Sequence, residues 1–188
     1  VARLAGGLPS AGAELRIDAG ALDALCRSVV TKTRYPRRDA MLLMQGDFTD
    51  QPEHIPELVK RFEGGADLVV GERTTIPSAP VPVRRLRWVA PWLLRPFVSV
   101  PGVADPFGSF RLIRISVIRD LVKQNGDSPI VSGEGWAANV DLLSRAIPFA
   151  RRVETVSLEQ RFDIRPRESR IRPFADAMNL YRFAWATR

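Results

Sequence analysis

Residues 41–53 constrain the possible fold more than any other stretch of this chain, because a short apolar run ends there in carboxylates and a proline. Four apolar residues without polar alternation are typical of a strand buried on both faces of a parallel sheet. We expect this strand to end near Gln45 and a helix to begin at Pro52, with Asp50 as its cap. Ligands of open α/β sheets bind beyond the carboxyl ends of strands, so Asp47 is a candidate site residue.

The downstream pattern repeats the alternation of strand and helix. Apolar residues at helical spacing over residues 55–62 predict a helix that Gly64 and Gly65 terminate, and residues 66–71 predict the next strand. Further helices are predicted near 19–33, 116–124, 137–146 and from 173 onwards, with strands near 14–17 and 152–162. We therefore expect an α/β fold with a mostly parallel sheet flanked by helices, in which residues 1–188 form a single domain.

Composition limits the kinds of site that the chain can carry. One cysteine and one histidine among 188 residues exclude an internal disulfide, a multi-thiolate zinc site and a histidine cluster within one chain. A metal here is expected to have oxygen ligands, which favours Mg²⁺ or Mn²⁺. The formal charge of +7 implies an anionic partner, which is a nucleic acid, a phospholipid surface or a phosphorylated small molecule.

Several motifs resemble, in order and spacing, those of family 2 glycosyltransferases of the GT-A fold. The resemblance is strongest to polyprenyl- and dolichyl-phosphate mannose or glucose synthases. It covers residues 40–175. Its counterparts are an Asp-X-Asp motif at 45–47, a "PPE..IPEL" helix at 52–58, a "GADLVVGSR" strand at 65–73, a "DPTSGFRLFRR" segment at 105–114, a "GFEFELELL" helix at 133–143, and a strand and arginine loop at 153–170.

The resemblance implies a Rossmann-like GT-A domain that transfers a hexose from a nucleotide-sugar of the GDP-mannose or UDP-glucose type to a polyprenyl phosphate or related lipid. It implies catalytic roles for Asp47, Arg111 and Glu134, and a metal ion, Mg²⁺ or Mn²⁺, held by Asp47 and Gln45. By motif position, the candidate substrate-binding residues are Gln45, Arg73, Arg84, Arg85, Asp105, Ser109, Arg165, Arg167 and Arg170.

Two departures from the family pattern change these expectations. The opening family motifs that bind the base and ribose have no counterpart, so we expect a chain that is incomplete at its N-terminus and represents the C-terminal part of the family domain. Gln45 stands where the family has its first aspartate. An amide oxygen can be a ligand but brings no negative charge, so lower metal affinity is expected unless Asp50 compensates.

Simpler structural roles are open for several of these residues. Asp47 and Asp50 are also suited to capping the following helix, and Asp105 to forming a turn before a proline. Glu134 precedes a predicted helix, where a carboxylate favours the positive end of the helix dipole. Each candidate arginine is alternatively a solvated surface residue.

Residues 84–98 combine arginines with tryptophan, leucine and phenylalanine. This composition is typical of a helix that lies at a lipid interface. The alternative is that the segment packs on the sheet. No stretch of about 18 apolar residues predicts a spanning helix. We expect a cytoplasmic protein with peripheral contact at the inner face of a membrane and without a nucleic-acid partner.

Two alternative functions are a non-catalytic relative of the GT-A fold and a basic nucleic-acid-binding module, although no motif of the latter class occurs.

Overall fold

The computed structural model of this chain describes residues 19–45, 50–73, 100–133 and 135–158, together with seven single helical positions: 81, 85, 88, 178, 181, 182 and 185. Its helices and strands are α1 (Ala19–Lys32), β1 (Ala40–Leu43), α2 (Ile55–Glu63), β2 (Leu68–Arg73), β3 (Arg111–Arg114), α3 (Ile115–Asn125), α4 (Trp136–Ala146) and β4 (Val153–Leu158). Short 3-10 turns, Pro52–His54 and Ile147–Phe149, precede α2 and follow α4. The predicted strand near 14–17 lies outside the described residues, as does most of the predicted final helix.

The four described strands form one mixed sheet in the order β1-β3-β2-β4. β3 pairs antiparallel with both β1 and β2, whereas β2 and β4 pair in parallel. Hence β1, β2 and β4 point in the same direction and β3 alone is reversed. The α/β class is confirmed, but the prediction of a mostly parallel sheet needs correction, since two of the three pairings among the described strands are antiparallel.

The reversed strand β3 is the element that the sequence analysis missed. Its four residues begin and end with arginine, so they lack the continuous apolar run that marks β1. Arg111 lies opposite Leu43 on one side and Val70 on the other, in the middle of the sheet. Pairing on both edges gives this short segment its strand geometry, because neither length nor propensity does so alone.

Both faces of the sheet are covered by helices. Leu68, Val70 and Ile113 face the cluster formed with α1, α3 and α4. Val69 and Leu112 point the other way and pack with Leu58 of α2. Burial on both faces explains why β1 and β2 show no polar alternation in the sequence, as predicted for this class of strand.

Helix α2 ends as predicted but begins differently. The chain leaves the helix at Gly64 and turns through Gly65, whose φ of 101° favours glycine. At the other end, Gln51 precedes the 3-10 turn and no side chain caps it. The Asp50 carboxylate points back to the end of β1 instead, so the prediction that Asp50 caps this helix is wrong.

An ion pair joins β2 and β3 at the sheet edge where β1 and β4 begin. The Arg114 Nε atom lies 2.7 Å from Asp67 Oδ1, and its Nη2 donates to the Ala66 carbonyl over 2.8 Å. The other Asp67 oxygen accepts from the Arg151 N–H over 3.0 Å. The Arg114 guanidinium also lies 4.1 Å from the centre of the Phe62 ring. The last arginine of the 105–114 motif and the aspartate of the 65–73 motif thus hold the fold together.

Candidate active site

The carboxyl ends of β1, β2 and β4 lie at one edge of the sheet because these strands run in the same direction. The reversed strand β3 starts at that edge, so residues 105–110 arrive there as well. The Gly71 N–H donates to the Phe110 carbonyl over 2.9 Å, and this hydrogen bond holds Phe110 beside the end of β2. The tertiary structure therefore brings Gln45, the first residue of the 45–47 motif, and the 105–114 motif to one edge of the sheet, as expected for a site at strand ends.

Asp50 connects these two motifs directly. Its side chain is buried, and one carboxylate oxygen, Oδ2, accepts from the Gln45 N–H over 2.9 Å. The same oxygen lies 3.4 Å from the hydroxyl of Ser109, which is also buried. Two residues predicted to bind substrate, Gln45 and Ser109, are thus held by a carboxylate to which the sequence analysis gave only a capping or compensating role.

The segment before β3 forms a turn that Asp105 stabilises. The buried Asp105 carboxylate accepts from the Phe107 N–H over 3.3 Å, two residues along the chain, as in an Asx turn. This contact is the turn-forming role considered for Asp105. Its predicted contact with substrate stays a prediction.

Arg111 lies under this turn and is completely buried. Its Nη2 donates to the Pro106 carbonyl over 2.6 Å and its Nη1 to the Asn139 carbonyl over 2.5 Å. The Asn139 side chain in turn donates to the Phe107 carbonyl over 3.1 Å. These contacts anchor the turn to α4, so the structure shows a structural role for Arg111. Its catalytic role stays a prediction. Asn139 was missed, although a lone amide inside the apolar helix of residues 137–143 was a usable signal.

The end of β2 contributes two charged residues to the same edge. Arg73 is the last residue of the strand and pairs with Leu158 of β4, while its side chain lies outside the described part of the structure. The Glu72 carboxylate accepts from the Ala104 N–H over 2.5 Å. Glu72 was not a candidate in the sequence analysis, and it links the end of β2 to the segment that leads into Asp105.

The remaining predicted site residues have little or no structural description. Arg85 is an exposed helical position. Asp47, Arg84, Glu134, Arg165, Arg167 and Arg170 lie outside the described residues. Their predicted roles stay predictions.

The oxygen donors at this edge are of the chemical kind that Mg²⁺ and Mn²⁺ bind, namely the Gln45 amide, the Asp50 carboxylate and the Ser109 hydroxyl. Within the described stretches, however, no group of three His, Cys, Asp or Glu residues is placed to hold a metal. Cys26 is an unsuitable ligand, since burial raises the pKa of its thiol to about 12. A complete ligand set would need residues such as Asp47.

Among the described residues, no helix is long and apolar enough to cross a membrane. Two tryptophan side chains of the described part are nevertheless strongly exposed, Trp88 at 75% and Trp185 at 55%. Trp88 belongs to the segment 84–98, for which packing on the sheet was one alternative. Its exposure shows that this tryptophan does not pack on the sheet.

Comparison with known proteins finds similarity over part of the chain. No protein family model matches it. Over 85 residues, 44% of its length, the chain is 29% identical to bactoprenol glucosyl transferases of the Shigella phages SfX and SfV and to the SfII prophage-derived enzyme of Shigella flexneri. The matched segment represents 27% of the phage proteins and 26% of the Shigella flexneri protein. The chain thus matches about a quarter of the length of these relatives.

Proposed function

We propose that this chain contributes the catalytic edge of a glycosyltransferase that moves a hexose from a nucleotide-sugar to a polyprenyl phosphate or related lipid. One observation carries the proposal: the Asp50 carboxylate contacts both Gln45 and Ser109, which joins two motifs 64 positions apart at the strand ends. The similarity to proteins named bactoprenol glucosyl transferases supports the same reaction class. A donor of the GDP-mannose or UDP-glucose type and a family 2 GT-A architecture are parts of this proposal.

The proposed reaction is a single displacement. An oxygen of the acceptor phosphate attacks the anomeric carbon of the sugar, the bond from that carbon to the diphosphate breaks, and the nucleoside diphosphate leaves. A phosphate nucleophile is already anionic near neutral pH and needs little help from a general base. The principal demand is stabilisation of negative charge on the acceptor phosphate and on the leaving diphosphate.

The proposed roles follow from this demand for positive charge. Bound Mg²⁺ or Mn²⁺ would neutralise charge on the leaving diphosphate, with Asp47 and Gln45 as its ligands. Arg73 ends β2 at the same edge, and we propose that it contacts a phosphate together with the loop arginines Arg165, Arg167 and Arg170. Glu134, ahead of α4, would contact the sugar or the acceptor.

Peripheral contact with the cytoplasmic face of a membrane is part of the proposal, since the acceptor is a lipid. The exposed Trp88, three residues after the exposed Arg85, supports it, because tryptophan and arginine are favoured at membrane interfaces. Binding to vesicles with and without anionic lipid tests this part independently of catalysis. Equal sedimentation with both kinds of vesicle and with no vesicle would refute it.

The decisive experiment measures sugar transfer to a polyprenyl phosphate in detergent micelles by the complete protein that contains this chain. Labelled GDP-mannose and UDP-glucose are tested separately, with Mg²⁺, with Mn²⁺ and with a chelator. We expect transfer from one donor, its loss with the chelator, and a decrease of at least about 100-fold in Asp47→Ala. Asp120→Ala is the matched control, since this aspartate is 46% exposed on α3.

The alternatives predict different results. A complete, folded protein that transfers from neither donor supports the non-catalytic relative and refutes the proposed function. Salt-sensitive binding to DNA without nucleotide-sugar binding supports the basic nucleic-acid-binding module. Activity that is unchanged in Asp47→Ala refutes the metal-ligand assignment alone.

A further inference from the structure

Four exposed arginines lie at the edge of the sheet opposite to the proposed site, where β1 and β4 begin. Arg34, Arg37 and Arg38 precede β1, and Arg151 precedes β4. Strand β2 has six residues, so its two ends are about 20 Å apart. These arginines are therefore too far from the carboxyl ends of the strands to take part in the proposed sugar transfer.

One ion pair places the two groups of arginines beside each other. The Arg114 guanidinium, which pairs with Asp67, donates to the Arg37 carbonyl. The Arg151 N–H donates to the other Asp67 oxygen over 3.0 Å. Three strand spacings of about 4.8 Å separate β1 from β4, so the two groups form a surface about 14 Å wide. This arginine surface comprises Arg34, Tyr35, Arg37, Arg38 and Arg151.

The positive charge of the arginine surface is not neutralised within the described part of the chain. No carboxylate there forms an ion pair with any of its four arginines. The neighbouring Arg152, by contrast, pairs with Glu154 over 2.6 Å. Asp39 is the one carboxylate in the turn 34–39, so a net positive charge remains. Because like charges repel one another, an anion bound here would relieve an unfavourable interaction.

The turn that carries three of these arginines is held in place by hydrogen bonds. The Tyr35 carbonyl accepts from the Arg38 N–H over 2.9 Å, which closes the turn. The Pro36 and Asp39 carbonyls accept from the first two N–H groups of α3, over 2.8 and 3.0 Å. A backbone fixed in this way reduces the conformational entropy that is lost when the arginines bind a partner.

We propose that the arginine surface binds an acidic segment of a protein partner. The proposal goes beyond sugar transfer and does not depend on it. Clusters of arginine are a recurring means of recognising acidic motifs, since each guanidinium can bind a carboxylate through two parallel hydrogen bonds. Tyr35 favours a protein partner, because it is 52% exposed and tyrosine, like arginine, is enriched at protein–protein interfaces. The Arg34 guanidinium lies 5.5 Å from the centre of its ring.

Fluorescence anisotropy tests the binding with the complete protein that contains this chain. The probe is a short fluorescein-labelled peptide of alternating glutamate and serine, and the same peptide with glutamine in place of glutamate is the uncharged control. We expect binding of the acidic peptide alone. Its affinity should fall as the ionic strength rises from about 0.01 M to about 0.1 M, because the screening length shortens from about 30 Å to about 10 Å.

Charge reversal locates the binding. The double variant Arg37→Glu with Arg38→Glu, and Arg151→Glu alone, should each weaken binding of the acidic peptide at least about 10-fold, because like charges then face each other. These substitutions keep the backbone groups that contact Arg114 and Asp67, and circular dichroism verifies folding. If a reversed variant does not fold, Arg37→Gln makes the same comparison with an expected loss of about 2–5-fold.

Lys123→Glu is the matched control, since it reverses an exposed charge near the far end of α3, about 13 Å along the helix from Arg114. It should change the affinity for the acidic peptide less than about 2-fold. Equal loss in Lys123→Glu would overturn the proposal, because binding would then follow net charge alone. Unchanged affinity in the folded Arg37→Glu, Arg38→Glu double variant, or no binding by the wild type, would also overturn it.

Two competing probes identify the class of partner. Single-stranded DNA and vesicles of phosphatidylglycerol carry phosphates instead of carboxylates. If the arginine variants lose more affinity for either of these than for the acidic peptide, the partner is a nucleic acid or a membrane and the proposal is wrong. Sugar transfer should be unchanged in the same variants, and its absence from the wild type would refute the proposed function without affecting this inference.

Discussion

Gly71 offers the sharpest test of the sheet geometry beside the proposed site. It lies in β2 between β3 and β4, and a Cβ atom added there would be 2.4 Å from Leu158 Cδ1 and 3.0 Å from the Phe110 carbonyl oxygen. Carbon atoms in favourable contact are about 3.5–4.0 Å apart, so the overlap with Leu158 exceeds about 1 Å. The carbonyl cannot retreat freely, because it accepts the Gly71 N–H. We therefore predict that Gly71→Ala destabilises the fold.

The magnitude follows from two opposing effects. Overpacking a dense core typically costs about 1–3 kcal/mol, and Leu158 has little room to move because it is 4% exposed. Replacing glycine by alanine in a regular element stabilises the folded state by about 0.5–1 kcal/mol, because the unfolded chain has lower conformational entropy. The net loss should be about 1–1.5 kcal/mol, which lowers the melting temperature by about 2–6 °C for a chain of this size.

Urea denaturation followed by circular dichroism measures this loss, and a double-mutant cycle identifies its cause. In the background of Leu158→Ala the nearest clashing atom is gone, so Gly71→Ala should cost less than about 0.5 kcal/mol, with a coupling energy of about 1 kcal/mol. The contact with Phe110 accounts for the remainder. A single variant within 0.5 kcal/mol of wild type, or full additivity in the cycle, would contradict the described strand packing.

Three further predictions concern stability away from the site. Arg114→Ala should lower the free energy of unfolding by about 2–4 kcal/mol, because it leaves the Asp67 carboxylate, which is 17% exposed, without its arginine. An effect smaller than about 1 kcal/mol in urea denaturation would contradict this prediction. Burial raises the pKa of the Cys26 thiol to about 12. At pH 8 this thiol should therefore react with iodoacetamide only as fast as the protein opens locally. Labelling at the rate of a free thiol would be inconsistent with its burial. Burial raises the pKa of Asp23, but the Ile130 N–H and the neighbouring arginine outweigh it and hold the pKa below the usual range of an aspartate. The destabilisation by Asp23→Asn, measured by urea denaturation, should therefore be full at pH 7 and vanish as pH falls through that lowered pKa; a loss independent of pH would exclude this linkage.

The sequence by itself determined the elements whose signal is local. Helical spacing and the glycines at 64 and 65 located α2 and its end, and an uninterrupted apolar run located β1. The α/β class followed from the alternation of these elements. The motifs at 45–47 and 105–114 were recognised among several that follow one another along the chain, because a resemblance needs only residue types in order.

Tertiary structure alone decided what depends on contacts distant in the chain. Strand β3 forms because β1 and β2 pair with it from both sides, and this pairing made the sheet mixed. The contact from Asp50 to Ser109 spans 59 positions, so no local pattern distinguishes it from a helix cap. Local propensity reports the entropy and sterics of neighbouring residues, whereas the partner of a buried carboxylate is chosen by which donors the packed fold brings within reach.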